Sequence, residues 1–174
     1  MIQPIRAVTV ADADSLAALH AASWRSVYRG ILSDETLGAG LDAERRDHWR
    51  ARLVKTTDRD VVLMVDGVAF IAVWAEGDPG FGAYIDNLHV HPEHRSGGIG
   101  RRLLGRAAQL VAERGQQRAY LWVFDANLRA IAFYCSLGGE VTEHGFDTID
   151  GAQVAHSRIV WRDIARLAES CHGP

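Results

Sequence analysis

The chain has 174 residues, 48% of them hydrophobic, and a formal charge of −3. That is enough apolar material for one buried core, with no compositional seam to divide residues 1–174, and the charge gives no attraction to nucleic acid or an anionic membrane. No apolar stretch approaches the roughly 20 residues of a membrane span. The start lacks a signal peptide's charged and apolar regions, and Cys135 and Cys171 are too few for a disulfide framework, so a soluble, cytoplasmic protein with free thiols is expected.

In chain order, residues 2–8 read as a short first strand, after which Asp12 and Asp14 supply capping chemistry for a helix carrying Leu16, Leu19, Trp24 and Val27. Gly30 breaks that helix. Ser33, Asp34 and Glu35 are suited to cap a second helical region through Leu37, Leu41, Trp49 and Leu53, ending near Lys55. Residues 61–65 and 68–74 are β-rich runs around Asp66-Gly67, a strong hairpin signal, and form antiparallel strands two and three. Residues 84–90 read as a fourth strand that Pro92 helps to end. A third helix runs from about 98 to 114, and residues 118–124 make a fifth strand. Asp125-Ala126-Asn127 opens a fourth helix with apolar positions Ala130, Ile131, Phe133, Tyr134 and Leu137, closed by Gly138-Gly139. Two last strands, near 140–146 and 153–161, flank a turn at Asp150-Gly151.

The most informative stretch is Arg95-Ser96-Gly97-Gly98-Ile99-Gly100 at the junction of the fourth strand and third helix. Glycines open backbone conformations closed to other residues, so several N–H groups can converge on an anion at the positive end of a helix. The P-loop pattern needs Gly-Lys-Ser/Thr after its first glycine, and no Lys-Ser/Thr pair follows here. A dinucleotide fingerprint needs a third glycine where Leu103 stands, and its loop follows the first strand rather than the fourth. Both are disfavoured.

What fits is Arg95-x-x-Gly98-x-Gly100 after a strand ending Leu88-His89-Val90, together with Asn127-Leu128-Arg129-Ala130-Ile131-Ala132-Phe133-Tyr134. This pair of segments resembles the GNAT superfamily of acetyl-CoA-dependent N-acetyltransferases, whose Arg/Gln-x-x-Gly-x-Gly/Ala loop and Asn-x-x-Ala-x-x-Phe-Tyr helix occur in the same order. The order of strands and helices fits the family nearly end to end. The resemblance implies an α/β domain with a mixed, mostly antiparallel, twisted sheet of about seven strands and four helices, splayed between strands four and five. It implies acetyl-CoA as co-substrate, with the amides of Ser96, Gly97, Gly98, Ile99, Gly100 and Arg101 around the pyrophosphate and Arg95 nearby. The backbone of Leu88, His89 and Val90 would pair with pantetheine, and Asn127 and Phe133 would border it. Homodimers, common in the family, are the expected assembly if there is one.

Acetyl transfer to an amine needs a neutral amine, a polarised thioester carbonyl and a proton for the leaving thiolate. By resemblance Tyr134 is the general acid, although a packed aromatic is the plainer reading of the same residue. Asn127 also sits where a helix N-cap is expected. Strict alternation puts Tyr84, Asp86, Leu88 and Val90 on one face and Ile85, Asn87 and His89 on the other. Asp86 is the preferred base, His89 the reserve, and a water chain a third route. His89, His91, Glu93 and His94 do not make a metal site, because Pro92 disrupts the geometry and no second ligand cluster supports them, so no metal is expected. Cys135 beside Tyr134 raises a Cys/His nucleophile, but adjacent helix positions point about 100° apart, and direct transfer is preferred.

Trp24 and Tyr28, four residues apart on one helical face, and Tyr84 are the candidate acceptor contacts, against the alternative that they only pack the helix onto the sheet. The expected acceptor is a primary amine of a small molecule or peptide. Two rivals stand beside it: acetylation of a protein N-terminus or lysine, and a non-catalytic acyl-CoA-binding sensor or interaction module on the same fold.

Overall fold

The computed structural model describes residues 3–149 and 151–172. Ile2 of the expected first strand and Asp150 of the expected last turn lie outside the described residues. Element order is β1 (Arg6–Ala7), α1 (Ala13–Val27), α2 (Gly40–Leu53), β2 (Val61–Val65), β3 (Ala69–Trp74), β4 (Ala83–Val90), α3 (Ile99–Glu113), β5 (Ala119–Phe124), α4 (Leu128–Ser136), β6 (Glu140–Ile149), β7 (Ala152–Trp161) and α5 (Ile164–His172). The seven strands form one sheet in the order β1-β2-β3-β4-β5-β7-β6, with every pairing antiparallel except β4 with β5.

Strands β2 and β3 are buried on both faces, and their alternate residues divide between two apolar layers. Val61, Leu63, Val65, Ile71 and Val73 join Leu103, Leu104, Ala107 and Val111 of α3 and Ile164, Leu167 and Ala168 of α5. Val62, Met64, Phe70, Ala72 and Trp74 join Leu16 and Leu19 of α1 and Trp49 and Leu53 of α2. A third, smaller cluster ties Ala21, Trp24, Tyr28 and Leu41 to Phe124, Ile149 and Val154 at the far end of the sheet.

Three expectations are corrected. The second helix starts at Gly40 rather than near Ser33, because the Thr36 amide donates to Ser33 Oγ (3.1 Å) and spends the capping chemistry on a turn. A fifth helix, α5, follows the last strand. Its Ile164, Leu167, Ala168 and Cys171 recur at helical spacing, and all are buried against the sheet side that carries α3. Cys171, expected in a terminal tail, is therefore a core residue: a Cβ at Gly105 would stand 2.5 Å from Cys171 Cβ, so glycine is what lets α3 and α5 touch.

Candidate active site

The site begins where the sheet stops pairing. Strands β4 and β5 are bonded only at Ala83–Ala119 and Tyr84–Tyr120, where the two tyrosine rings stack 5.1 Å apart. Beyond that point β4 stays with β3 as far as Val90, while β5 stays with β7 as far as Phe124. Their facing edges diverge, and the backbone polar groups along them face the opening rather than each other. A cleft of about 590 Å³ fills the gap, lined along its length by Leu88, Val90, Leu121, Val123 and Phe133.

One end of the cleft is the glycine loop. Ser96 and Gly98 both adopt left-handed backbone conformations, at φ 75° and 74°. The first α-helical bond of α3 runs from the Arg102 amide to the Gly98 carbonyl (3.0 Å), which leaves the amides of Ile99, Gly100 and Arg101 without helical acceptors. Together with the helix dipole this is an anion cradle. Its cations are not all those expected. Arg95 Nε donates to the Val90 carbonyl (3.2 Å) and its Nη1 to Ser26 Oγ (2.8 Å), so its side chain straps the loop to β4 and α1. Arg101 Nη2 donates to the Ser170 carbonyl of α5 (2.6 Å). Arg129, from the first turn of α4, reaches Ser96 Oγ (3.0 Å) and brings a guanidinium to the loop.

Helix α4 carries the next group. Asn127 is its N-cap, with Oδ1 accepting from the Ala130 amide (3.2 Å), and it also lines the cleft. About two turns later Tyr134 is 8% exposed, wedged between Phe133 and the edge of Trp161. Its hydroxyl makes no hydrogen bond among the described residues, and burial pushes its pKa up, so it holds its proton. Cys135 is exposed and lies outside the cleft lining.

The opposite end is built by β4, α1 and α2. A β-bulge breaks the alternation of β4: Ala72 pairs with Asn87 and Val73 with Ile85, leaving Asp86 as the extra residue. Strict alternation is thus corrected. Leu88 and Val90 pack toward α3 with Ile85, whereas His89 lies with Tyr84 on the α1/α2 side. Asp86 Oδ2 accepts from Trp74 Nε1 at 2.8 Å; burial of Tyr84, followed by the Asp86 charge, raises the Tyr84 pKa and keeps its hydroxyl protonated. His89 shares a hydrogen bond with Ser23 Oγ (2.9 Å) and stacks on His20 at 4.6 Å. Burial, Arg95 and Arg45 lower its pKa to about 3, which makes it a poor base. Trp24 and Tyr28 meet edge to face at 5.5 Å, and both pack the third cluster and line the cleft. Burial raises Tyr28 to about 12.

The cleft thus brings Tyr84, Asp86, Tyr134, Asn127, Phe133, Trp24, Tyr28 and most of the loop together; Gly97 is the one expected loop residue outside its lining. Sequence reasoning missed Arg129 and a group of further lining residues, His20, Arg45, His48, Trp122 and His156. Arg129 was legible, sitting two residues after Asn127. His20, at i−4 from Trp24, shares its helical face. Among the described residues no group of three or more metal-ligating side chains is assembled.

Residues 22–138 match the model of the acetyltransferase (GNAT) family. The uncharacterised N-acetyltransferase YuaI of Bacillus subtilis is 26% identical over 166 residues, covering 94% of this chain and 95% of that protein. The streptothricin acetyltransferase of Streptomyces lavendulae is 38% identical over 84 residues, 42% of this chain and 44% of its own. The fold is shared with the PaiA N-acetyltransferase of Thermoplasma acidophilum, solved in complex with coenzyme A, at a TM-score of 0.70 and 21% identity over 90% of this chain and 98% of the other. With a family model spanning two thirds of its length, the chain belongs to the acetyltransferase (GNAT) family and is an acyltransferase enzyme.

Proposed function

We propose that this protein transfers an acetyl group from acetyl-CoA to a primary amine, by direct attack within the cleft. The observation that carries the reading is the continuity of three features: two unpaired strand edges, an anion cradle at one end of them, and a buried, protonated tyrosine beside them. The residues fit the coenzyme. Amides of Ile99, Gly100 and Arg101 with Arg129 suit its phosphates, and the free edge of β4 at Leu88, His89 and Val90 suits an amide-bearing chain laid down as an added strand. A structural neighbour from Salmonella typhimurium is described with acetyl-CoA as its cofactor (TM-score 0.66, 20% identity).

When bound, acetyl-CoA supplies an activated thioester. The protein supplies proton management and exclusion of water. Asp86, directly or through a water, takes the proton of the incoming ammonium, and Tyr134 holds a proton at its hydroxyl for delivery to the departing sulfur. Asn127 fixes the start of α4 and thereby the height of Tyr134. The exposure of Cys135 away from the cleft supports direct transfer over an acyl-enzyme route. Side chains of α1, α2 and the β6–β7 hairpin wall that end of the cleft, an arrangement that supports a small-molecule acceptor. Release of coenzyme thiol from acetyl-CoA, dependent on an added amine, is the test; coenzyme binding without amine-dependent release would favour the sensor role.

A further inference from the structure

The acceptor end of the cleft contains a guanidinium with little exposure and two buried side-chain nitrogens without a hydrogen-bond partner among the described residues. Arg45, on the first half of α2, keeps only 11% of its side chain exposed, and its guanidinium lies 4.8 Å from the centre of the Trp24 ring. Its single carboxylate partner is the preceding residue, Glu44, whose side chain is 61% exposed and stands at the surface. Arg45 Nε is buried with no hydrogen-bond partner. His20 is 2% exposed and lines the same cleft. Because an indole N–H can only donate, the 3.1 Å bond from Trp49 Nε1 makes His20 Nδ1 an acceptor, so a neutral His20 carries its proton on Nε2. That Nε2 is also buried and without a partner. Unsatisfied buried donors of this kind are costly to keep, and these two belong to residues of different helices that line one cleft. The same end holds a carboxylate, Asp86, fixed by Trp74 on the neighbouring strand.

We infer that the acceptor is a zwitterion: a primary amine tethered to an anionic group, such as an amino acid, with the anion received by Arg45 and His20 Nε2–H and the amine presented toward Asp86. The inference rests on the acetyl-transfer reading and adds the substrate class. A guanidinium and an imidazole N–H satisfy two oxygens of a carboxylate or of a phosphonate equally well, and neither has a use for a second ammonium. Polyamines are accordingly poor acceptors. The aromatic wall of Trp24, Tyr28 and Phe124 is left for the acceptor's side chain. Arg45 is a specificity-determining residue here.

The test is thiol release from acetyl-CoA with matched pairs: each natural amino acid against the amine left by its decarboxylation, with α-aminophosphonates as a third arm. The wild-type protein is expected to prefer the anion-bearing member of its best pair by tenfold or more in kcat/KM. The Arg45→Gln variant is expected to lose that preference through KM, and Arg45→Lys to restore part of it. The preference is a ratio within one preparation, so a partly unfolded variant does not imitate the result. Phosphonates equalling or exceeding carboxylates would identify the anion's source. Equal use of the decarboxylated amines, failure of every anion-bearing member, or a preference unchanged in Arg45→Gln overturns the inference. Acetyl-CoA binding by calorimetry separates the two levels: no binding refutes the acetyl-transfer reading itself, whereas binding and turnover of anion-free amines refute only the acceptor class.

Discussion

Trp74 Nε1 donates to Asp86 Oδ2 at 2.8 Å across neighbouring strands, and Asp86 is the extra residue of the β4 bulge. Without that extra residue the two ends of β4 would keep one alternation, and Asp86 and His89 would not share a side of the sheet. The bulge thus sets which side chains share the α1/α2 side of the sheet, and the indole holds the carboxylate in place.

Replacing Asp86 by Asn keeps the shape and removes the base. Turnover is expected to fall about 10²-fold, the usual size of a general-base contribution, with acetyl-CoA affinity retained. Steady-state kinetics with calorimetry checks this; undiminished kcat would transfer the role to solvent.

Tyr134→Phe keeps the ring between Phe133 and Trp161 and removes only the hydroxyl. A loss in kcat of about 10²-fold is expected, larger than any change in KM for acetyl-CoA. Burial raises the pKa of this hydroxyl, so the protonated acid persists to higher pH than an exposed tyrosine would allow. Activity should therefore show no loss through pH 9–10 that disappears in the Phe variant.

Stability should respond to acid through His20 and His89. Both have folded-state pKa values depressed by burial, so the folded protein binds fewer protons than the unfolded chain. Their contribution is complete above the unfolded value near 6.5 and is lost as pH falls below it. For the deeply buried His20 the slope approaches about 1.4 kcal/mol per pH unit. Denaturant midpoints measured from pH 7 to 5 should fall, and His20→Gln should flatten the decline.

Much of the donor site was legible because its signals are local. Arg95, Gly98 and Gly100 lie within six residues, and Asn127 and Tyr134 occupy one short helix, so spacing alone carries the pattern. The acceptor end is assembled otherwise. Arg45 meets Trp24, and Trp49 meets His20, only because α1 and α2 pack together over the sheet, and no spacing along the chain encodes that distance. The bulge at Asp86 is silent for a similar reason: a run such as Tyr84-Ile85-Asp86-Asn87-Leu88 reads the same with or without an added residue. Helix α5 was visible in principle, since Ile164, Leu167, Ala168 and Cys171 show helical periodicity within nine residues.

Two glycines separate coenzyme binding from folding. At Gly98 a Cβ would meet nothing within 4 Å, but φ is 74°, so Gly98→Val strains the backbone and should weaken acetyl-CoA binding with a stability cost of about 1–2 kcal/mol. At Gly105 the conformation is helical and the obstacle is Cys171. Gly105→Ala should lower the melting temperature with little direct effect on the loop, and Cys171→Gly in the same chain should recover part of the loss. Equal effects of the two substitutions on coenzyme affinity would contradict this division.

The parting of β4 from β5 after two paired residues leaves the protein as a pair of half-sheets sharing one short seam, reinforced by the Ala83 amide bonded to the Arg118 carbonyl at 3.0 Å. Anything that lies in the opening and bonds to both edges serves as a temporary eighth strand. The donor substrate is then also mortar: it should raise the cooperativity of unfolding across the whole sheet, slow hydrogen exchange at the facing edges, and leave those edges free to breathe once the spent coenzyme departs.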